Sequence, residues 1–387
     1  MSPPSTPLTP GATLGVFGSG QLGRMFVHAA QRLGYKVHVF SPHRHSPAGL
    51  AADVEHVGLF TDLASVERFA RGVSAITLEF ENVPVETIHA AERCTIVRPA
   101  ASVLFTTQHR VREKTFLRDA GAPVGEFAAV GSLAELEAAA AQLGLPAVLK
   151  TAQMGYDGKG QRVLKNTAEH ADAWRQLGPG ACILEAFVPF RRELSIIAAR
   201  SSTGEVALYG PIENEHANHI LDISTYPARN ITRSSAEEAE RIARRVVEAL
   251  GVVGILCIEL FETGSGELLV NELAPRPHNS GHLTIEACDS SQFDQQVRTL
   301  CGLPLGNAAP RQPAAMANLL GDLWENGEPN WQRALELPGV SLHLYGKESA
   351  KVGRKMGHLT ALGETPEAAR ALAIEARSRL SCRTMGS

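Results

Sequence analysis

The sequence predicts a mixed architecture, an α/β domain followed by α+β units, and three observations carry that expectation. An apolar run at residues 13–18 ends in Gly18-Ser19-Gly20, after which Leu22, Met25, Phe26, Ala29, Ala30 and Leu33 recur at helical spacing: a strand, a tight turn and a helix. Further apolar runs at residues 37–40, 75–80 and 95–97, with a helical pattern among them, extend this start into a small doubly wound domain. From about residue 106 the order changes to a charged helix at 109–120, short strands, an Ala-rich helix after Ser132 and a strand at 147–150 entering a glycine-rich loop. Strands at 183–187 and 194–199, a helix at 236–250 and a hairpin within 257–273 follow. Beyond Leu303, Pro and Gly become frequent and a smaller unit ends in a helix at 366–380. The expected division is a loose tail at 1–10, a doubly wound domain at 11–105, a central domain at 106–303 with a lid at about 120–185, and a C-terminal domain at 304–387.

Composition narrows the class. The 387 residues are 44% hydrophobic and 20% charged, which is ordinary globular usage. A net charge of -4 with a pI near 6.4 carries no basic excess that would point to nucleic acid. No stretch approaches the roughly 20 apolar residues of a membrane span, and the Ser/Thr/Pro-rich start lacks the pattern of a signal peptide. The cytoplasm is the expected compartment. The six cysteines lie far apart without a CxxC pair, so they read as buried thiols, with no clustered partners for zinc visible in the sequence.

Two glycine loops offer phosphate sites. Gly18-Ser19-Gly20-Gln21-Leu22-Gly23 follows a strand and opens a helix, where backbone N–H groups and the helix dipole suit an anion. A nicotinamide site wants an acid at the end of the second strand, and Phe40-Ser41-Pro42-His43 has none, although Arg44 could meet an NADP phosphate. Another phosphate ligand or tight packing are the alternatives. Gly155-Tyr156-Asp157-Gly158-Lys159-Gly160-Gln161 is the second loop, with Lys150 and Lys159 supplying positive charge. An ordinary turn is its bland reading.

The hairpin is the most informative segment. With a four-residue loop at 264–267, Thr263 pairs with Leu268, Phe261 with Val270, and Glu259 with Glu272, on a face flanked by Cys257, Phe261 and Val270. Cross-strand neighbours are about 5 Å apart, so two carboxylates there call for a cation between them. Magnesium, satisfied by carboxylates plus phosphate oxygens, fits, and Asn271 is placed to add a ligand. A solvated strand face beside an arginine is the alternative. Polar loops at 274–282 and 347–358 suit an anionic substrate or plain exposure, and Glu79 and Glu81 alternate at a strand end.

Together, the first domain, Lys150, the 155–161 loop, Glu185 and the Glu259/Glu272 pair resemble an ATP-grasp ligase with a Rossmann-like pre-ATP-grasp domain and a small C-terminal domain. More narrowly, Gly-Gln-Leu-Gly-Arg at 20–24, Glu-Phe-Glu-Asn-Val-Pro at 79–84, the 155–161 loop, Asn-Glu-Leu-Ala-Pro-Arg-Pro-His-Asn-Ser-Gly-His at 271–282 and Gly-Arg-Lys-Met-Gly-His at 353–358 resemble the N5-carboxyaminoimidazole ribonucleotide synthases. The resemblance spans roughly residues 13–375. It implies that ATP phosphorylates bicarbonate to carboxyphosphate, which then carboxylates 5-aminoimidazole ribonucleotide.

The resemblance also implies roles. Arg110, Lys150, Gly155, Tyr156, Asp157, Gly158, Lys159, Gly160 and Gln161 would meet the ATP phosphates. Glu185, Ala186, Phe187 and Val188 would form the adenine hinge, with Glu193 on the ribose and His216 near the nucleotide. Glu259 and Glu272 would hold magnesium, or manganese in its place, with Asn271 beside them. Gly20, Gln21, Leu22, Glu79, Glu81, Tyr156, Asp157, Lys159, Arg276, Asn279, Ser280, Lys347, Arg354 and Lys355 would face the ribonucleotide or carboxyphosphate. Lys150, Arg276 and Lys355 would carry the catalytic charge, and a homodimer is the implied assembly. One departure is the stretch between Lys347 and Gly353, a residue longer than the family's usual spacing and without its proline before Gly-Arg-Lys. A formate-dependent transformylase or another ATP-grasp ligase is the alternative within the fold, and an NADP-dependent oxidoreductase the alternative outside it.

Overall fold

The computed structural model describes residues 6–153, 160–177 and 180–381. Among them, the first five strands, β1 (Thr13–Phe17), β2 (Lys36–Ser41), β3 (Val54–Val57), β4 (Ala75–Leu78) and β5 (Ile96–Arg98), form a parallel sheet in the order β3-β2-β1-β4-β5. The helix Gln21–Arg32 buries Leu22, Met25, Phe26, Ala29 and Ala30 against this sheet, which is the periodicity the sequence displays. A helix at Ala101–Thr107 precedes the charged helix Arg110–Asp119 and was not evident in the sequence.

Strands β6 (Phe127–Val130), β7 (Ala147–Thr151), β8 (Gln161–Leu164) and β9 (Cys182–Ala186) form a small antiparallel sheet in the order β6-β9-β7-β8. The helices Leu133–Leu143 and His170–Leu177 cover it, with Leu136, Ala140 and Ala173 in its core.

The large sheet holds β10 (Phe190–Arg200), β11 (Val206–Ala217), β12 (Ile220–Tyr226), β13 (Gly254–Thr263), β14 (Leu268–Ala274), β15 (Ala314–Leu320), β16 (Val340–Leu344) and β17 (Lys355–Leu362). Its order is β14-β13-β10-β11-β12-β15-β17-β16, so the C-terminal strands extend the central sheet through the β12–β15 pairing rather than building a sheet of their own. Local pattern could not reveal that pairing, because it joins segments nearly ninety residues apart and β11 and β12 themselves escaped the sequence reading.

Helix ends are locally encoded. Thr232 accepts from Ser235 N to start Arg233–Leu250, and Gly251 ends it in the left-handed conformation at φ 62°. Ser291 and Asp294 form a capping box on Gln292–Cys301. That second helix ties the first domain to the centre: Gln296 Nε2 donates to Thr77 Oγ1 and to Leu78 O at 3.0 Å each, and Arg98 reaches back to Leu300 O at 3.2 Å.

The hairpin pairs Glu259 with Glu272 in register, while the tip is offset by one residue. Leu260 pairs with Val270 and Phe261 with Leu269, so the expected Phe261–Val270 and Thr263–Leu268 pairs do not form, and Asn271 is the extra residue of a bulge. Val270 correspondingly faces the core with Leu260 and Leu268, not the side shared by Glu259. Val270 and Leu273 lie three apart yet enter the same core, which a regular strand with a period of two forbids. Asn271 and Glu272 are thereby left together on the opposite side. Leu273→Ala should cost about 2–5 kcal/mol in urea unfolding; a change within error would place Leu273 outside the core and remove the bulge geometry.

Candidate active site

The helix Arg110–Asp119 presents Arg110, Glu113 and Lys114 along one face, at the i, i+3 and i+4 spacing that stacks side chains. Arg110 Nη1 donates to Glu272 Oε2 at 2.8 Å. Lys114 Nζ donates to Val270 O at 3.0 Å and lies 3.5 Å from Glu185 Oε2. From β7, Lys150 Nζ reaches Glu185 Oε1 at 3.1 Å, so the buried Lys114 and the partly buried Lys150 share one carboxylate. Glu113 Oε2 accepts from Leu273 N at 3.3 Å. Glu113 and Lys114 escaped the sequence reading; their helical spacing from Arg110 on a helix packed against apolar strands is the signal that could have found them.

These groups perturb one another. Burial would raise the Glu272 carboxyl, but the Arg110 guanidinium, with Lys150 and His278, outweighs it and holds Glu272 below the usual range. Burial and the adjacent Glu272 carboxylate push Glu113 up. Burial lowers Lys114 against the pull of Glu185, and Arg110, Lys114 and Lys150 line the pocket with N–H donors. Such a pocket suits a polyphosphate.

Glu272 keeps 38% of its side chain exposed, enough to receive a ligand, and Asn271 Oδ1 is buried without a hydrogen-bond partner among the described residues. Two carboxylates in register, with an unsatisfied amide oxygen beside them, form the oxygen-rich donor set that magnesium prefers. The residues fit that ion.

Elsewhere in the cleft, His216 Nδ1 lies 3.2 Å from Glu193 Oε2; burial lowers the imidazole's affinity for protons, and the Glu193 carboxylate more than restores it. Ala186 and Phe187 donate their backbone N–H groups to Glu126 O and Pro146 O, at 2.9 and 3.2 Å, and the Phe187 ring is exposed. Gly160 and Gln161 flank Lys150 directly, since Lys150 pairs with Gln161 and Thr151 N donates to Gly160 O at 2.8 Å. Gly155, Tyr156, Asp157, Gly158 and Lys159 lie outside the described residues.

On the first domain, Glu79 follows β4 at the carboxyl end of the parallel sheet, where doubly wound folds bind ligands. Its carboxylate accepts from Gly20 N at 2.8 Å and Gly23 N at 3.2 Å, at the N-terminus of the helix Gln21–Arg32. A Cβ on Gly18 would stand 2.5 Å from Glu79 Cγ, and one on Gly20 would stand 3.0 Å from Glu79 Oε2. The glycines of the first loop thus make room for a protein carboxylate. The helix end that a dinucleotide pyrophosphate would use is already occupied, which removes the basis of the NADP alternative.

Burial pushes the Glu79 carboxyl up, against the opposing pull of Gly20 and Gly23 N–H, Arg276 and Lys347. Arg276 pairs with Glu81, whose backbone carbonyl accepts from Gln108 Nε2 at 2.7 Å. Lys347 Nζ donates to Lys355 O at 2.5 Å, and burial followed by repulsion from Arg354 lowers Lys347 to about 8. Arg354 Nη1 donates to Ser349 O at 3.0 Å.

Not every expected substrate contact opens to the cleft. The Leu22 side chain is buried in the first domain's core, leaving only its backbone for a ligand. Ser280 Oγ is buried and engaged by Ser195 Oγ at 2.8 Å and His278 Nδ1 at 2.9 Å. Both polar atoms of the Asn279 side chain, by contrast, are buried without partners among the described residues. His278, whose Nε2 lies 3.0 Å from Glu259 Oε1, is a site residue to which the sequence reading assigned no role.

A parallel-sheet domain, a small antiparallel lid sheet and a large sheet enclosing paired glutamates and buried lysines define an ATP-grasp ligase. The chain matches the ATP-grasp domain over residues 115–293, the ribonucleotide synthetase preATP-grasp domain over 11–108 and the phosphoribosylaminoimidazole carboxylase C-terminal domain over 314–372. It is 43% identical over 351 residues to the N5-carboxyaminoimidazole ribonucleotide synthase of Bacillus subtilis (strain 168), covering 91% of each chain. The structure of an N5-carboxyaminoimidazole ribonucleotide synthetase in complex with ADP superposes with a TM-score of 0.91 at 41% identity, covering 96% of this chain and 98% of that one. The Aspergillus clavatus N5-carboxyaminoimidazole synthase in complex with ADP and 5-aminoimidazole ribonucleotide gives 0.87 at 30% identity, covering 96% and 98%. The chain belongs to the N5-carboxyaminoimidazole ribonucleotide synthase family, ATP-dependent carbon–nitrogen ligases of purine biosynthesis.

Glu79→Ala would leave the Gly20 and Gly23 amides without their acceptor. Its expected cost is about 1–3 kcal/mol in chemical denaturation. Unchanged stability would mean that water replaces the carboxylate freely.

Proposed function

We propose that the chain carboxylates 5-aminoimidazole ribonucleotide with bicarbonate at the expense of ATP, using the residues of this cleft. The observation that carries the assignment of roles is the Glu259/Glu272 register pair, with Glu272 held by Arg110 and in the field of Lys150. Arg110, Lys114 and Lys150 neutralise the triphosphate. The Glu185–Val188 segment receives the adenine, with Glu193 and His216 at the ribose. Glu259 and Glu272, with Asn271, would hold magnesium or manganese, which when bound neutralises charge on the phosphates.

A bicarbonate oxygen forms a bond to the γ-phosphorus as the bond to the β-bridging oxygen breaks, giving carboxyphosphate and ADP. The substrate amine then bonds to the carboxyl carbon, phosphate leaves, and the amine gives up a proton. No protein nucleophile is required. Arg276 and Lys355 stabilise the anionic carboxyl and phosphoryl groups, and water is excluded because carboxyphosphate would otherwise hydrolyse. Glu79, Glu81, Asn279, Lys347 and Arg354, with the backbone of Gly20, Gln21, Leu22 and Ser280, surround the ribonucleotide. A cytoplasmic homodimer belongs to the same reading, on the strength of the family.

Phosphate release from ATP should require 5-aminoimidazole ribonucleotide and be stimulated by bicarbonate. Release indifferent to the ribonucleotide, or supported by formate with glycinamide ribonucleotide, would reject the assignment. Glu272→Ala should lower turnover by more than the ~10–100-fold that loss of an outer-shell metal partner costs; near-normal activity at low magnesium would exclude Glu272 as a metal ligand.

A further inference from the structure

The face of β13 that carries Glu259 also carries a set of donors unlike those of the magnesium pair. Cys257 Sγ, a Glu259 oxygen and a His278 ring nitrogen lie within 4.8 Å of one another, and this is the one such three-residue group among the described residues. Cys257 and Glu259 alternate on β13, in register with Ala274 and Glu272. The chain leaving β14 turns through Pro275–Pro277 and brings His278 back over them, with Nε2 3.0 Å from Glu259 Oε1. Magnesium takes oxygen ligands and has no use for a thiol. Sulfur, imidazole and carboxylate together are the donors of zinc and its borderline-soft neighbours.

We propose that Cys257, Glu259 and His278 chelate a zinc-class divalent ion, and that this ion inhibits the ligase by taking Glu259 away from magnesium. Ligand atoms around tetrahedral zinc at ~2.0–2.3 Å stand about 3.3–3.8 Å apart, so side-chain rotation is enough to close the set. The surroundings of His278 suit ligation. His278 Nδ1 lies 2.9 Å from Ser280 Oγ, and ion binding would select the tautomer in which Nδ1–H donates there and Nε2 presents its lone pair to the ion. Ser280 is itself fixed by Ser195 Oγ at 2.8 Å, and Ser195 by Asn214 Nδ2 at 3.0 Å, so the ring sits on a braced network. Three protein ligands leave a fourth position for water or a substrate oxygen. At equal concentration such a site favours zinc over magnesium or manganese.

The inhibitory half of this inference rests on Glu259 serving magnesium, as in the proposed function; the binding half does not. Cobalt(II), a coloured stand-in for zinc, separates the two. Titrating the full chain with cobalt should give, at one equivalent, a near-ultraviolet sulfur-to-cobalt charge-transfer band with the intense visible bands of tetrahedral coordination, and zinc should abolish both. Cys257→Ala should lose the charge-transfer band. In the phosphate-release assay at saturating magnesium, zinc should inhibit the unaltered chain. Cys257→Ala, whose thiol takes no part in ligation, should keep its zinc-free activity and need roughly tenfold or more zinc for half-inhibition.

A charge-transfer band that survives Cys257→Ala, cobalt bound without that band, or no binding at all overturns the proposal. Cys257→Ser replaces Cys257→Ala in the same measurements should the latter fail to fold. X-ray absorption at the zinc edge of the unaltered chain gives an independent reading: one sulfur ligand supports the site, and none or several overturns it. Cobalt binding as described by a chain that shows no bicarbonate-dependent ligation supports the site while removing the proposed function.

Discussion

The cleft depends on a single irregularity in one hairpin. An extra residue at Asn271 lets Val270 and Leu273 both enter the core beneath the sheet, and it turns Asn271 and Glu272 together toward the opposite side. Glu272 then stands across from Glu259, and the two carboxylates need positive charge nearby. Arg110 meets Glu272 from a helix whose apolar side packs into the core beneath the hairpin, and His278 Nε2 lies beside Glu259. Apolar burial therefore fixes the backbone on which the charge arrangement is hung.

Three further cations are likewise matched to carboxylates within the protein. Lys114 and Lys150 share Glu185, and Arg276 pairs with Glu81. Charges this deep cannot be left without partners, since an uncompensated buried ion costs several kcal/mol. The consequence is a cleft whose positive groups are already oriented when an anion arrives, with little reorganisation required.

The first glycine loop shows how one motif supports different chemistry. Its spacing matches a dinucleotide site, but the second strand ends without the acid that a nicotinamide cofactor needs. The structure supplies the reason the glycines are there all the same: Glu79, arriving from β4, lies so close that a Cβ on Gly18 would overlap its side chain and one on Gly20 would press on its carboxylate. The acid comes from the next strand in the sheet and binds the helix end itself. The motif Glu-Phe-Glu and the motif Gly-Gln-Leu-Gly, distant in sequence, are two halves of one contact.

What the sequence by itself determined was everything written in short-range pattern. The doubly wound start, the helix after Gly20, the body of the helix ending at Leu250 and the Glu259–Glu272 meeting were all legible, because period and turn chemistry act over a few residues. What only the tertiary structure decided was set by partners far along the chain. The one-residue slip at the hairpin tip follows from which side chains the core accepts, and the inward turn of Glu113 and Lys114 follows from where their helix docks. The C-terminal strands join the large sheet because β12 offers them an edge. Cys257 and His278 become neighbours only when β14 and its following turn fold back over β13, a closeness that no spacing in the sequence announces.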